Sequence, residues 1–347
     1  MRAVLPFLIV LLFAAPASAA PPWSDPVDAA TDPFAVRYVP PSHLFSGTVS
    51  RPVLYGASRA VVTVVNENGL FVSFGRTDGK YGTAKRITAR AVSGVQLAAN
   101  ANGDIAVAWF EDRGVSNDRV YIAFRPAGKS FTPPILQATD RLRSVSIAVS
   151  PRADLLLAYD ARGVVKTRSK RTAAPLFGRV QALESEPTLN ARLRTAVTGN
   201  GRAYVAWAAS GYYQAAVRTV GSGRFRPAQL LESAPGLGGL DLVVDDTNRA
   251  TVAWGTTTVR AAVTDASATF GAAQDIAPGA EAALASAPDG RRVIAWTSAG
   301  QLFAAVAPFS APELVSPATG AVTAAFDAIG NRWWLVWNNE RASNRPA

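Results

Sequence analysis

An all-β chain built from repeated four-stranded units is the fold this sequence predicts, on three observations. The first is a short apolar strand that ends in an aromatic residue and recurs along the chain. It reads DIAVAW to Trp109, DLLLAY to Tyr159, RAYVAW to Trp207, RATVAW to Trp254, RRVIAW to Trp296 and RWWLVW to Trp337, with VVTVV (Val61–Val65) as a degenerate first copy. Measured from Val65, successive copies lie 44, 50, 48, 47, 42 and 41 residues apart. The second is an independent aromatic register at the start of the last strand of each unit: Phe45, Tyr81, Phe131, Phe177, Phe225, Phe270 and Phe309. The third is turn chemistry ahead of the recurring strand, in Asn102-Gly103, Asn200-Gly201, Asp289-Gly290 and, more loosely, Gly330-Asn331, where hairpins require residues that tolerate positive φ.

Each turn is preceded by another short apolar strand: Val95–Ala99, Ser146–Val149, Asp241–Val244 and Val322–Phe326. The unit is thus four antiparallel strands in about 45 residues, and no segment with a helical period is found beyond the first 19 residues. Such a unit exposes both faces when alone, and stacking around an axis buries them. The expectation is a single seven-bladed β-propeller over residues 34–341, with a tail at 342–347; six blades is the alternative, because the first copy is the least regular. The last unit has only its first two strands. Phe34–Ser50 reads as the missing outer half, because its Val36-Arg37 and Phe45 match Val217-Arg218 and Phe225.

The N-terminus reads as an export signal. Arg2 is followed by the apolar stretch Leu5–Ala15 and by Ala17-Ser18-Ala19, a small-x-small cleavage site. No later stretch has the length of a membrane span, and residues 20–33 read as an extended segment. The expectation is a secreted or envelope-exterior protein cleaved near Ala19. The chain has no cysteine, so no disulfide framework is available and stability must come from burial and from ring closure. Its formal charge is +10, carried by 35 basic residues of which only Lys80, Lys85, Lys129, Lys166 and Lys170 are lysine. Arginine suits bidentate contact with carboxylates and phosphates; the same excess also fits a GC-rich coding bias. Export argues against a specific nucleic-acid partner.

The strand ending in Ala-Trp, the loop after it and the Gly-x-aromatic turn (Gly128–Phe131, Gly223–Phe225) resemble those of secreted bacterial β-propellers of the sialidase-like and BNR type, over residues 34–339. The resemblance implies the propeller fold. The sialidase Asp-box, Ser-x-Asp-x-Gly-x-x-Trp, is not present at these turns; Thr77–Tyr81 comes nearest.

In this architecture the ligand-binding rim combines the loops between second and third strands with the links between units. On that assignment the rim of the first units carries Arg51, Arg90, Arg113, Arg119, Arg141, Arg143, Arg162, Arg192 and Arg194, interleaved with Glu111, Asp112, Asp118 and Asp160. The loops after Gly255 and Thr297 are small and neutral. Arginine forks in that arrangement suit an acidic glycan or an acidic protein surface; a solvated rim of local ion pairs is the alternative. Tyr212 and Tyr213, read as a rim loop, are candidates for stacking on a sugar. Two of Glu111, Asp112, Asp118 and Asp160 facing one pocket would instead make a glycoside hydrolase or lyase. Asp112 with Asp118 offers a calcium site only outside any EF-hand spacing. His43 is the single histidine, which excludes a histidine metal cage, and there is no thiol nucleophile and no phosphate-loop motif. No cofactor is expected. A binding module, a glycan-active enzyme and a structural part of a secreted assembly are the functions left open.

Overall fold

The computed structural model describes residues 7–13, 27–28, 48–49, 53–55, 59–76, 81–113, 117–183, 192–209, 211–234, 238–287, 290–309, 312–317, 322–327 and 332–338. Every regular element among them is a β-strand. The strands form six four-stranded sheets and one five-stranded sheet, and every strand pairing is antiparallel. The second sheet is typical: Ser93–Ala99, Ile105–Glu111, Asp118–Arg125 and Ile135–Asp140, each paired with the next. The third starts at Leu142, the fourth at Arg192, the fifth at Gly239 and the sixth at Ala280. This is the repeated open-sheet architecture of a β-propeller.

The sheets stack face to face, and the core lies in the seams between them. One cluster joins Val61, Leu70 and Val72 of the first sheet to Ile105, Val107 and Trp109 of the second. Others join the second to the third, the third to the fourth, the fourth to the fifth and the fifth to the sixth. A strand covered on both faces has no polar side, which explains why Leu155–Ala161 and Ala203–Ala209 are buried at every position. Trp109, Trp207, Trp254 and Trp296 are at most 1% exposed, so the recurring aromatic is packing between sheets.

The hairpins between first and second strands run over three residues. Asn100 pairs with Asp104, Thr198 with Arg202 and Asp245 with Arg249 across three-residue loops. Their third loop residue has positive φ: Gly103 (92°), Gly201 (89°), Asn248 (64°) and, without either residue type, Ala153 (62°) in the third sheet. That is the type I turn plus left-handed residue of longer hairpins. The second aromatic register sits earlier than expected. Phe131, Phe225 and Phe270 each lie four residues ahead of the fourth strand. The fourth strand of the preceding sheet clamps two of them: the amide of Gln181 accepts from the N–H of Phe225 (2.8 Å) and donates to its carbonyl (3.1 Å), and Gln229 does the same to Phe270.

The N-terminal half-repeat needs correction. Thr48–Val49 pairs with Val64–Val65, and Val53–Tyr55 pairs with Arg59–Val61. These two short pieces form one interrupted first strand of the first sheet, because residues 50–52 fall between two pairings in nearly the same register. The last sheet, Val322–Asp327 and Arg332–Asn338, does take its outer strands from the N-terminal end, but they are Phe7–Phe13 and Val27–Asp28. An apolar run with Ile9 and Val10 has the β-propensity to fill an open edge. Phe34–Gly47, His43 and the side chains of Trp333, Trp334 and Trp337 lie outside the described residues.

Candidate functional site

Antiparallel order puts the loop between second and third strands at the same end of each sheet as the link to the next sheet. At this end of the second sheet, Glu111, Arg119 and Thr139 stand in one row across three strands, as directly opposed pairs. Directly opposed residues share a face. The next row inward on that face is Trp109 and Tyr121, whose rings stack at 5.9 Å. Trp109 belongs to the cluster shared with the first sheet, so this face looks into the seam between the first and second sheets.

Glu111 is only 4% exposed. Its Oε2 lies 3.4 Å from Nη1 of Arg90, on the link from the first sheet, and 3.4 Å from Nη2 of Arg113. Burial raises its pKa, and the charges of Arg90 and Arg119 oppose that rise. Asp118 carries no free carboxylate face: Oδ1 accepts from the N–H of Arg113 (3.2 Å) and Oδ2 from the N–H of Leu142 (2.9 Å). It ties the second sheet to the third, and that leaves it unsuited to calcium. Beside this row opens a depression of about 600 Å³ lined by Arg113, Asn117, Arg119 and Thr139. Among the described residues its walls hold two guanidinium groups, an amide and a hydroxyl, and no carboxylate. The Nε of Arg119 is buried and has no hydrogen-bond partner among the described residues.

The other expected site residues are spread along the rim. Asp112 is exposed. Arg141 is the one residue between second and third sheets; it is exposed, and its N–H donates to Oδ1 of Asp140 (2.9 Å). Arg143 lies on the first strand of the third sheet and is half-buried. Arg162 turns the chain with φ 56° and donates from Nε to Asp140 at 2.6 Å, while Lys166 reaches the other oxygen at 3.3 Å. Burial alone would raise the pKa of Asp140; hydrogen bonds from Arg162, the Arg141 backbone and Lys166 hold it below the ordinary carboxylate value. Asp160 is fully buried and caps the Arg162–Gly163 turn by accepting from the N–H of Gly163 (2.8 Å). It does not face a ligand.

Two expectations change in the fourth sheet. Only residue 210 separates Ala203–Ala209 from Gly211–Arg218, so Tyr212 and Tyr213 are strand residues and not a loop. Tyr213 is 1% exposed, packs on Trp254 at 5.9 Å and accepts from the N–H of Gly238 (3.0 Å); its ring offers no face to a sugar. Tyr212 is half-buried against the third–fourth seam. Arg194 is engaged by Asp241 (3.4 Å) and by the carbonyl of Leu193 (2.9 Å), and Arg192 by the carbonyl of Gly238 (2.9 Å) and Glu281 (3.5 Å). Asp241 and Glu281, on the first strands of the fifth and sixth sheets, are thus paired with the arginines of the fourth, while the loops after Gly255 and Thr297 carry no charge.

Sequence reasoning missed one cluster. Glu232, on the last strand of the fourth sheet, accepts from the indole N–H of Trp254 and pairs with Arg260; Arg260 also meets Asp275 at 2.5 Å. The only signal was the repeated Leu-Glu-Ser at 183–185 and 231–233.

No protein-family model matches the chain, and no curated protein does. Among solved structures, U3-55K aligns over 84% of this chain and 98% of its own, with TM-score 0.55 and 11% identity. AofleA from Arthrobotrys oligospora aligns over 79% of this chain and 87% of its own, with TM-score 0.51 and 12% identity. A prolyl endopeptidase aligns over 80% of this chain, with TM-score 0.51 and 13% identity, but this chain spans only 44% of that protein's length. At these identities the likeness is one of fold, and the fold hosts unrelated functions.

Proposed function

We propose that the chain is an exported binding propeller that takes an acidic glycan on the rim of its second and third sheets. The observation that carries this reading is the depression whose described walls, Arg113, Asn117, Arg119 and Thr139, hold two guanidinium groups. Arginine, amide and hydroxyl donors suit the carboxylate and hydroxyls of a uronate sugar. Glycoside cleavage needs two carboxyls across one pocket. Glu111 is buried and turned toward Arg90 and Arg113, and Asp118 is held by two backbone N–H groups, which favours binding over hydrolysis. A thermal-shift panel tests this: uronate oligosaccharides are expected to raise Tm by about 2 °C or more at low salt and to be recovered uncut, while neutral glycans leave Tm unchanged. Equal shifts with neutral glycans, or cleavage of the acidic ones, would contradict it.

The ring belongs to the same proposal. Seven blades are supported by the succession of contacts between first strands: Val322–Asp327 touches Val53–Tyr55, and Val53–Tyr55 touches Ser93–Ala99. If export removes residues 1–19, the edge of Arg332–Asn338 loses Phe7–Phe13, and the half-repeat from Phe34 is the segment whose sequence fits it. A chain starting at Ala20 should unfold in one cooperative transition, and deleting residues 34–47 from it should broaden that transition and lower its midpoint. An unchanged transition after the deletion would remove the half-repeat from the ring.

A further inference from the structure

The repeats of this chain supply their own comparison for an open site. In every sheet whose third and fourth strands pair across a bulge, one residue of the fourth strand stands immediately beyond it: Thr88, Ala138, Glu232, Ala277 and Ser316 in the first, second, fourth, fifth and sixth sheets. In the fourth sheet that residue meets the recurring aromatic of the following sheet, Trp254. Between fourth and fifth sheets it holds Glu232, whose carboxylate takes both the indole N–H of Trp254 and the guanidinium of Arg260. Between first and second sheets it holds Thr88, whose hydroxyl is used locally, accepting from the N–H of Arg90 at 3.2 Å. The seam below it has the same kinds of donor, but the position of Glu232 carries no carboxylate there. Trp109 is fully buried and its Nε1 has no partner among the described residues; neither has Nε of Arg119. Arg119 is opposed to Glu111, whereas Arg260 is opposed to Trp254. The arginine of the second sheet therefore sits two residues nearer the rim, where it lines the depression.

We propose that the seam between the first and second sheets is a carboxylate cleft: the carboxylate of a uronate residue enters beside Arg119 and takes, one row nearer the rim, the place that Glu232 fills internally in the fourth–fifth seam. This deepens the acidic-glycan reading and rests on it. Glu111 is the internal anion of the cleft. Both of its contacts, to Arg90 and Arg113, are 3.4 Å long, so it leaves the guanidinium donors of the rim incompletely satisfied.

The test is to build the missing acceptor into the protein. Thr88→Glu puts a carboxylate at the position of Glu232, and it should raise Tm by about 2 °C while weakening a glucuronate-containing tetrasaccharide about tenfold or more in calorimetric titration. Arg119→Gln, with its side chain at the rim, should weaken the same ligand equally without the gain in Tm, so the result stands even if Thr88→Glu fails to fold. The methyl ester of the tetrasaccharide should bind neither variant nor the parent. Unchanged affinity in both variants, with acid still preferred over ester, overturns the cleft and leaves the acidic-glycan reading intact. Loss on replacing Arg141 and Arg143, with Thr88→Glu and Arg119→Gln unaffected, does the same and moves the ligand to the third sheet. Failure of the parent protein to prefer acid over ester overturns the acidic-glycan reading, and the cleft with it.

Discussion

Replacing Trp254 by alanine is expected to lower the unfolding free energy by about 3–5 kcal/mol, the range for removing a buried tryptophan. Trp254 is 1% exposed, packs on Tyr213 and belongs to the cluster that joins fourth and fifth sheets. Its loss opens a cavity in the seam and also removes the indole donor from Glu232. The two contributions separate with phenylalanine, which keeps an aromatic ring but no N–H. Trp254→Phe should cost about 1.5–3 kcal/mol more than Trp109→Phe, the range for a hydrogen bond to a charged group, because the indole of Trp109 has no partner to lose. Urea unfolding followed by circular dichroism reads both. A Trp254→Ala cost under about 1 kcal/mol would mean that the seams do not carry the stability of the fold.

Gly238→Val should be strongly damaging. A Cβ at Gly238 would stand 1.7 Å from the carbonyl oxygen of Gly255 and 2.5 Å from its carbonyl carbon. Those atoms end the strand Ala250–Gly255 and cannot rotate aside. The same residue donates its N–H to Tyr213 and accepts from Arg192 at its carbonyl, so the shift propagates across the fourth and fifth sheets. The expected cost is about 3 kcal/mol or more. Gly223→Ala, where nothing lies within 4 Å of the added carbon, should change stability by less than about 0.5 kcal/mol. Differential scanning fluorimetry of the pair checks the contrast; equal Tm values would contradict it.

The fold was legible because packing between sheets writes itself into the sequence. A strand buried on both faces must be apolar throughout, and the ring that fills each seam must recur at one position; Trp109, Tyr159, Trp207, Trp254 and Trp296 all obey this. The ties between outer strands were not legible. Gln181 and Gln229 look like ordinary surface residues, and only the register of neighbouring sheets brings them to Phe225 and Phe270. The rim was half legible. Arg113 and Arg119 do line an opening, but Tyr213 was misplaced because the strand Gly211–Arg218 begins ahead of both tyrosines. Asp160 was misplaced because a buried carboxylate that caps a turn carries the same letters as an exposed one. Arg194 is on the rim yet occupied, since its partner Asp241 lies 47 positions away and no local pattern links them.

The guanidinium groups of this rim are proposed to hold an acidic glycan without cutting it. Calorimetric titration of the chain beginning at Ala20 with a glucuronate-containing tetrasaccharide, at low and at moderate salt, tests it most directly. Saturable binding that weakens as salt rises, with the sugar recovered intact, is the predicted result. Binding that ignores salt and is matched by a neutral tetrasaccharide, or a sugar recovered in pieces, would contradict it.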